Sequence, residues 1–345
     1  MAVRLRDVGS SPDGLAEEAR RACEALLQRE VRTVETFAAP TGRVRESVRL
    51  RLDDGTVIAT RRSDESSRQR EIRVLQLLGG QGAPVPKVLA FDDAWLLQED
   101  LGTTRLTDVL NDATRPDRGA WLDRGLRALD AVHRAARAAG LPQSPAGLTE
   151  RQKRIEVYLL VFDRLRQKTG VPAPNVPAAA LKRILAVPGT DFIKFDPNPA
   201  DAIIGPSGTI AFFDWEACQA GCALEDLVKF VCNEMVPADL DPLDRLPELS
   251  PFAFQQFHEP LMARTYLIAF AALYMARRLN IIWGWQLKQG WSDWDTCLHH
   301  GLPGVSPRGI ANLCRRAMRW CGSASVTADL VPWFEAHSAL VPVDR

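Results

Sequence analysis

The chain lacks net charge. Its 43 lysines and arginines balance 43 aspartates and glutamates, so no overall field draws it to nucleic acid or to an anionic membrane surface. It also lacks a long apolar run: the longest, residues 265–276, is bounded by Arg264 and Arg277 and reads as a buried helix rather than a membrane span. The first residues include Arg4, Arg6 and Asp7 and no apolar h-region, so no signal peptide is expected and a cytoplasmic location is. Seven cysteines form no compact framework, which points to reduced thiols. Cys218 and Cys222 have the spacing of one turn if that stretch is helical, but no histidine or further cysteine nearby in sequence completes a zinc site. Internal repeats and low-complexity tracts are absent as well.

What remains is an ordinary globular balance, 46% hydrophobic and 25% charged, over 345 residues, enough for two domains or one two-lobed domain. Apolar periodicity predicts a helix over 12–29 and strands over 31–39, 46–52 and 56–62, the last two joined by the hairpin turn Asp53-Asp54-Gly55. A helix over 68–78, stopped by Gly79-Gly80, and strands over 87–91 and 94–98 follow. Beyond Leu101 the pattern turns helical, over 105–111, 118–138, 149–167, 177–186, 223–234, 251–283, 290–299, 307–321 and 326–338. The expected class is therefore α+β, with a small mixed lobe over 1–101 and a large helical lobe over 102–345.

One segment interrupts the helices. Residues 194–216 read K-F-D-P-N-P-A-D-A-I-I-G-P-S-G-T-I-A-F-F-D-W-E. Two apolar runs flank Gly205-Pro206-Ser207-Gly208, the signature of a β-hairpin. Such a hairpin brings Asp201 and Asp214 side by side, with Asp196 in the loop just upstream. Convergent carboxylates suit Mg²⁺, a hard cation that takes oxygen ligands.

K-F-D-P-N-P-A-D resembles the H-G-D-x-H-P-x-N loop of aminoglycoside phosphotransferases, choline kinases and related small-molecule kinases, and D-W-E resembles their D-x-D or D-F-G metal element. The spacing from Asp201 to Asp214 fits, as does the downstream G-x-x-x-x-D, here Gly221 to Asp226. The resemblance implies a two-lobed protein-kinase-like fold, ATP and Mg²⁺ as cofactors, and a small-molecule hydroxyl as acceptor. It makes Asp196 the catalytic base and Asp201 and Asp214 the metal ligands. Asp201 stands where the family has Asn, Lys194 where it has His, and Phe195 where it has Gly. Lys194 either contacts the transferring phosphoryl group or is a structural replacement.

In the small lobe the resemblance calls for a strand cation on the α/β-phosphates, paired with a helix glutamate. The third strand offers Arg61 and Arg62 but no lysine; Arg61 is favoured, with Glu71 as its partner. Gly42 and Ser47, in the turn 41–47, are expected to cover the phosphates. The backbone of Glu99 and Leu101 is expected to pair with adenine. For the acceptor two features stand out: the acidic stretch Asp239, Asp241, Asp244 and Glu248, and the group Trp283, Trp285, Trp291 and Trp294. Each is more often solvated loop or core than binding surface. The departures at 194 and 201 and the missing lysine leave two alternatives to a kinase: a nucleotide-binding module without turnover, and a kinase-fold enzyme that transfers another group.

Overall fold

The computed structural model describes residues 12–37, 46–144, 147–300 and 303–341. The chain forms two compact units, one of Met1–Gly80 with Val85–Leu101 and one of Gln81–Pro84 with Gly102–Arg345.

The first unit holds α1 (Pro12–Leu27), β1 (Thr33–Thr36), β2 (Ser47–Leu52), β3 (Gly55–Arg61), α2 (Glu65–Gly80), β4 (Val88–Phe91) and β5 (Trp95–Glu99). The strands make one antiparallel sheet in the order β1-β2-β3-β5-β4. Alternation decides its faces. Val48, Leu50 and Leu52 of β2, Val57 and Ala59 of β3, and Trp95 and Leu97 of β5 form one buried surface. Helix α1 packs Leu15, Ala19 and Cys23 onto it, residues spaced by one helical turn.

The second unit begins with α3 (Leu106–Asn111), α4 (Arg118–Ala138), α5 (Leu148–Leu159), α6 (Val161–Thr169) and α7 (Ala178–Leu185). Four short strands follow: β6 (Asp191–Ile193), β7 (Ala202–Ile204), β8 (Ile210–Phe212) and β9 (Gln219–Gly221). β7 and β8 form the hairpin expected from sequence, and β6 pairs with β9. The remaining helices are α8 (Ala223–Val231), α9 (Leu246–Leu249), α10 (Pro251–Phe254), α11 (Pro260–Gln289), α12 (Trp294–His300), α13 (Pro307–Gly322) and α14 (Val331–Ser338).

Two helices expected as continuous are divided. The 149–167 helix breaks at Leu160 into α5 and α6, where no proline or glycine marks the break. The 251–283 helix is interrupted because Pro260 has no N–H to donate and takes the first position of a new helix, α11. That helix is long and apolar enough by composition to cross a membrane, yet 72% of its most apolar window is buried inside the protein. It is the central post of the second unit, with α6, α8 and α13 packed against it.

At the far end of the chain, His337 on α14 is fully buried, and neither ring nitrogen has a hydrogen-bond partner among the described residues. Burial lowers its pKa from 6.5 to about 4. The unfolded chain therefore takes up this proton first as pH falls, and the stability present above pH 6.5 is lost between 6.5 and 4. The loss expected from this one group is about 3 kcal/mol. Urea titrations across that range should show it, and His337→Leu should flatten this part of the profile; an unchanged slope in the variant would refute the assignment.

Candidate active site

β6 is buried throughout and delivers the chain to the loop 194–201. The sharp turn that follows is held from three sides. Asp226 on α8 accepts the backbone N–H of Lys194 at 2.7 Å through Oδ2 and that of Phe195 at 3.0 Å through Oδ1. His133 on α4 meets the same Oδ2 through Nε2 at 3.1 Å, with both side chains excluded from solvent. Lys229, one turn beyond Asp226, donates to the Phe195 carbonyl at 2.6 Å. Gly221 lets this clasp come close, since a Cβ there would lie 2.2 Å from Ile193 Cδ1.

Lys194 is 1% exposed. Its ammonium donates to the Asp196 carbonyl at 3.0 Å and to the Asp214 carbonyl at 2.8 Å. Of the two roles open to it from sequence, the geometry favours the structural one: the cation ties the loop of Asp196 to the loop of Asp214 and is spent on two backbone oxygens. Asp196 itself is exposed at the apex. Asn198 then caps a short 3₁₀ turn, Pro199–Asp201, by accepting from Ala200 N at 3.0 Å. This turn feeds Asp201 into the hairpin, where its carbonyl accepts from Phe213 N at 3.0 Å. Just beyond β8, Trp215 is fully buried and donates Nε1 to the Phe212 carbonyl at 2.7 Å, fixing the chain behind Asp214.

Two of these residues stand at positive φ, Phe195 at 74° and Asp214 at 62°. Aspartate tolerates the left-handed region, whereas a phenylalanine there costs about 1–2 kcal/mol. The Phe195 ring offsets part of that cost, with Lys229 Nζ 3.8 Å and the Arg154 guanidinium 5.3 Å from its centroid. Phe195→Gly and Phe195→Ala both lose the ring, but only glycine relieves the backbone. The glycine variant is therefore expected to be about 1 kcal/mol more stable than the alanine variant by urea titration, the reverse of the usual order. Equal stabilities would show that no strain is held there.

The hairpin brings the carboxylates of Asp201 and Asp214 into electrostatic reach of each other. Burial, helped by Asp214 and Asp196 and opposed by Lys194 and Arg105, raises the Asp201 carboxyl from 3.8 to about 7. Among the described residues no group of three His, Cys, Asp or Glu side chains is placed to enclose a metal. Two hard carboxylates at the ends of one hairpin fit Mg²⁺, which keeps water and phosphate oxygens in its shell and needs only one or two protein carboxylates.

The first unit corrects one expectation. Arg61 does not meet Glu71. It shares the face of Val57 and Ala59, which α1 covers, and pairs with Glu18 of that helix at 3.1 Å. Arg62 points to the opposite face and pairs with Glu71, Nε to Oε2 at 2.8 Å and Nη2 to Oε1 at 3.3 Å. Glu71 is 1% exposed. Alternation separates the two arginines correctly; the sequence does not reveal which face α1 occupies. Ser47 starts β2 and shares a hydroxyl contact with Thr60 at 3.0 Å, while Gly42 lies outside the described residues. Glu99 closes β5 with its N–H on the Lys87 carbonyl at 2.9 Å, and Leu101 N–H has no partner among the described residues.

The acidic stretch is occupied by cations. Asp239 pairs with Arg118, Asp244 with Arg264, and Asp241 with Arg319 and Trp320 Nε1. Of the tryptophans, Trp283 and Trp294 are buried, Trp291 packs edge-on to Trp283, and Trp285 is exposed. His133, Lys229 and Arg154 were not singled out from sequence. Lys229 lies one turn past the G-x-x-x-x-D motif, the only signal that pointed near any of them.

Comparison with known proteins gives the family and the fold. A profile of the phosphotransferase enzyme family matches residues 38–248, more than half of the chain. No curated protein matches it in sequence. Solved structures share the fold. A choline/ethanolamine kinase family protein from Mesorhizobium loti aligns with a TM-score of 0.52 at 15% identity, covering 94% of this chain and 98% of that one. An aminoglycoside phosphotransferase from Alicyclobacillus acidocaldarius gives 0.53 at 11% identity, with 91% and 96% covered. The amicoumacin kinase hAmiN, solved with AMP-PNP and Ca²⁺, gives 0.54 at 14%, with 90% and 94% covered. The chain belongs to the phosphotransferase enzyme family of the aminoglycoside phosphotransferase and choline kinase type, on a two-lobed α+β fold like that of protein kinases.

Proposed function

We propose that this protein transfers the γ-phosphoryl group of ATP, with Mg²⁺, to a hydroxyl of a small molecule. The observation that carries this reading is the clamped loop: an exposed Asp196 on a backbone fixed by Asp226, Lys194 and Lys229. Phosphoryl transfer asks little covalent chemistry of a protein and much positioning. Asp196 accepts the acceptor's hydroxyl proton and orients its oxygen for in-line attack. Asp201 and Asp214 would hold Mg²⁺, which when bound neutralises phosphate charge. Arg62, oriented by Glu71, takes the place of the strand cation on the phosphates, a role it fills with a planar fork rather than a point charge. The Leu101 N–H, without a partner among the described residues, would donate to an adenine nitrogen.

Calorimetric titration with ATP, with and without Mg²⁺, and ADP release across a panel of hydroxyl acceptors test this. Mg²⁺-dependent binding with acceptor-dependent ADP release is expected; absence of nucleotide binding under every condition would refute it, and binding without turnover would favour the non-catalytic module. Arg62→Ala should raise the KM for ATP about tenfold or more through loss of a charge-assisted contact. Arg61→Ala, which removes a partly exposed ion pair, should leave KM within twofold and stability within about 1 kcal/mol. The opposite ranking would restore Arg61 as the phosphate ligand.

A further inference from the structure

A second feature of the helical unit concerns what the acceptor carries besides its hydroxyl. Next to the Asp196 loop, a small cavity is lined by Arg151, Arg154, Tyr158, Glu225, Tyr266 and Phe270. Arg151 is 3% exposed. Its Nη2 is satisfied by Glu225 at 2.6 Å and Tyr266 at 2.8 Å, but its Nε and Nη1 are buried with no partner among the described residues. Arg154 adds a third such group, a buried Nη1 without a partner, on a guanidinium that stacks over Phe195, the neighbour of Asp196. Buried charged donors left unpaired cost about 1–3 kcal/mol each or more, and native proteins seldom retain them without a ligand or water to meet them.

The charge around this cavity has one sign in excess. Its wall carries two cations, Arg151 and Arg154, against one carboxylate, Glu225; behind it Lys229 lies 5.9 Å from the Phe270 ring centroid and Arg277 5.5 Å from that of Tyr158. The carboxylate in its wall, Glu225, is occupied by Arg151 and by the Tyr266 hydroxyl, which donates to it at 2.8 Å. Asp226 is occupied by two backbone N–H groups and His133. The acidic stretch at 239–248 is engaged by arginines, as described above. No carboxylate in the cavity wall is left to receive a cationic amine. The same electrostatic neighbourhood includes Asp196, since Tyr158 and Lys229 both feel its charge.

We propose that the acceptor is an anion, a hydroxyl compound bearing a carboxylate or phosphate group, which Arg154 and Arg151 hold beside Asp196. The inference rests on the phosphotransferase reading and narrows it to a substrate class. The cavity measures about 10 Å³, the room of one water. One oxygen of the oxyanion takes that space against Arg151, and the rest of the group lies at the mouth against Arg154, whose side chain is only half-buried. The planar donors of guanidinium suit this two-oxygen recognition. No covalent step is involved: the oxyanion anchors, and the hydroxyl reaches Asp196.

The anchor is tested apart from the chemistry. Inorganic phosphate, titrated at constant ionic strength without nucleotide, should stabilise the full chain in a thermal-shift assay. Arg154→Gln should weaken that binding about tenfold to a hundredfold, Arg154→Lys should recover part of it, and exposed Arg164→Gln should leave it unchanged. In ADP-release assays with Mg²⁺ and ATP, hydroxycarboxylates and phosphorylated polyols, run as separate arms, should be used in preference to amino alcohols and aminoglycosides. For the better arm Arg154→Gln should raise the acceptor KM tenfold or more with kcat within about threefold. Phosphate titrations identical for wild type and Arg154→Gln, or a lower KM for the cationic acceptors, would overturn the proposal. Phosphate binding through Arg154 with no ADP formed from any acceptor would uphold the anion site and count against the phosphotransferase reading instead.

Discussion

Asp196→Asn is expected to lower kcat by a factor of about 10² to 10⁴, the range that a positioned general base contributes, while the Kd for ATP stays within about twofold. The two effects separate because Asp196 is exposed at the apex of its loop and, among the described residues, its side chain supports none of the contacts that hold the loop. Those contacts use the backbone of residues 194, 195 and 196, with Asp226, Lys229 and Lys194 as partners. Asparagine preserves size and polarity and removes only the ability to take a proton. Single-turnover ADP formation and a nucleotide titration on the same preparation measure both quantities. Turnover within tenfold of wild type would remove Asp196 from the reaction; a parallel loss of ATP binding would make it a structural residue.

Asp226→Ala is expected to cost about 3 kcal/mol or more of unfolding free energy, together with most of the activity. Asp226 has no solvent exposure and receives two backbone N–H groups and His133. Removing it strands all three donors in the interior, and unsatisfied buried groups next to a lost charge are among the most destabilising changes known. Asp239→Ala is the matched control. Its side chain is 59% exposed where it meets Arg118, so a change below about 1 kcal/mol is expected. Urea titrations of both variants decide the matter, and an Asp226→Ala protein within 1 kcal/mol of wild type would show that the Asp196 loop is held by other means.

Local features of the sequence were informative wherever a short-range rule applied. The turn Asp53-Asp54-Gly55 and the alternation of β2 and β3 gave the register of the first hairpin. The paired apolar runs around Gly205 to Gly208 gave the second, with Asp201 and Asp214 at its two ends. Helix α4 was expected over 118–138, the span it occupies, because its apolar stripe is regular. Long-range choices were not legible. That α1 covers the Val57 face, sending Arg61 to Glu18 and leaving Arg62 to Glu71, depends on which side of a sheet a distant helix packs. The division of 251–283 rested on the weight given to Pro260 within a strongly apolar pattern.

The sequence by itself determined the order of the strands along the first unit, the 202–212 hairpin and the spacing of three carboxylates, since these depend on propensity, periodicity and turn chemistry within about twenty residues of chain; the short strands β6 and β9 and the breaks in two helices were not legible. Only the tertiary structure decided how those carboxylates are held and what surrounds them. His133 lies 93 residues from Asp226, and Arg151 lies 74 from Glu225. Contacts at such separations follow from which buried faces meet, and no local rule encodes that. The same packing took Lys194 out of solvent and set it on two backbone carbonyls, and it gathered arginines from α5 beside the Asp196 loop, where the chain as a whole carries no net charge at all.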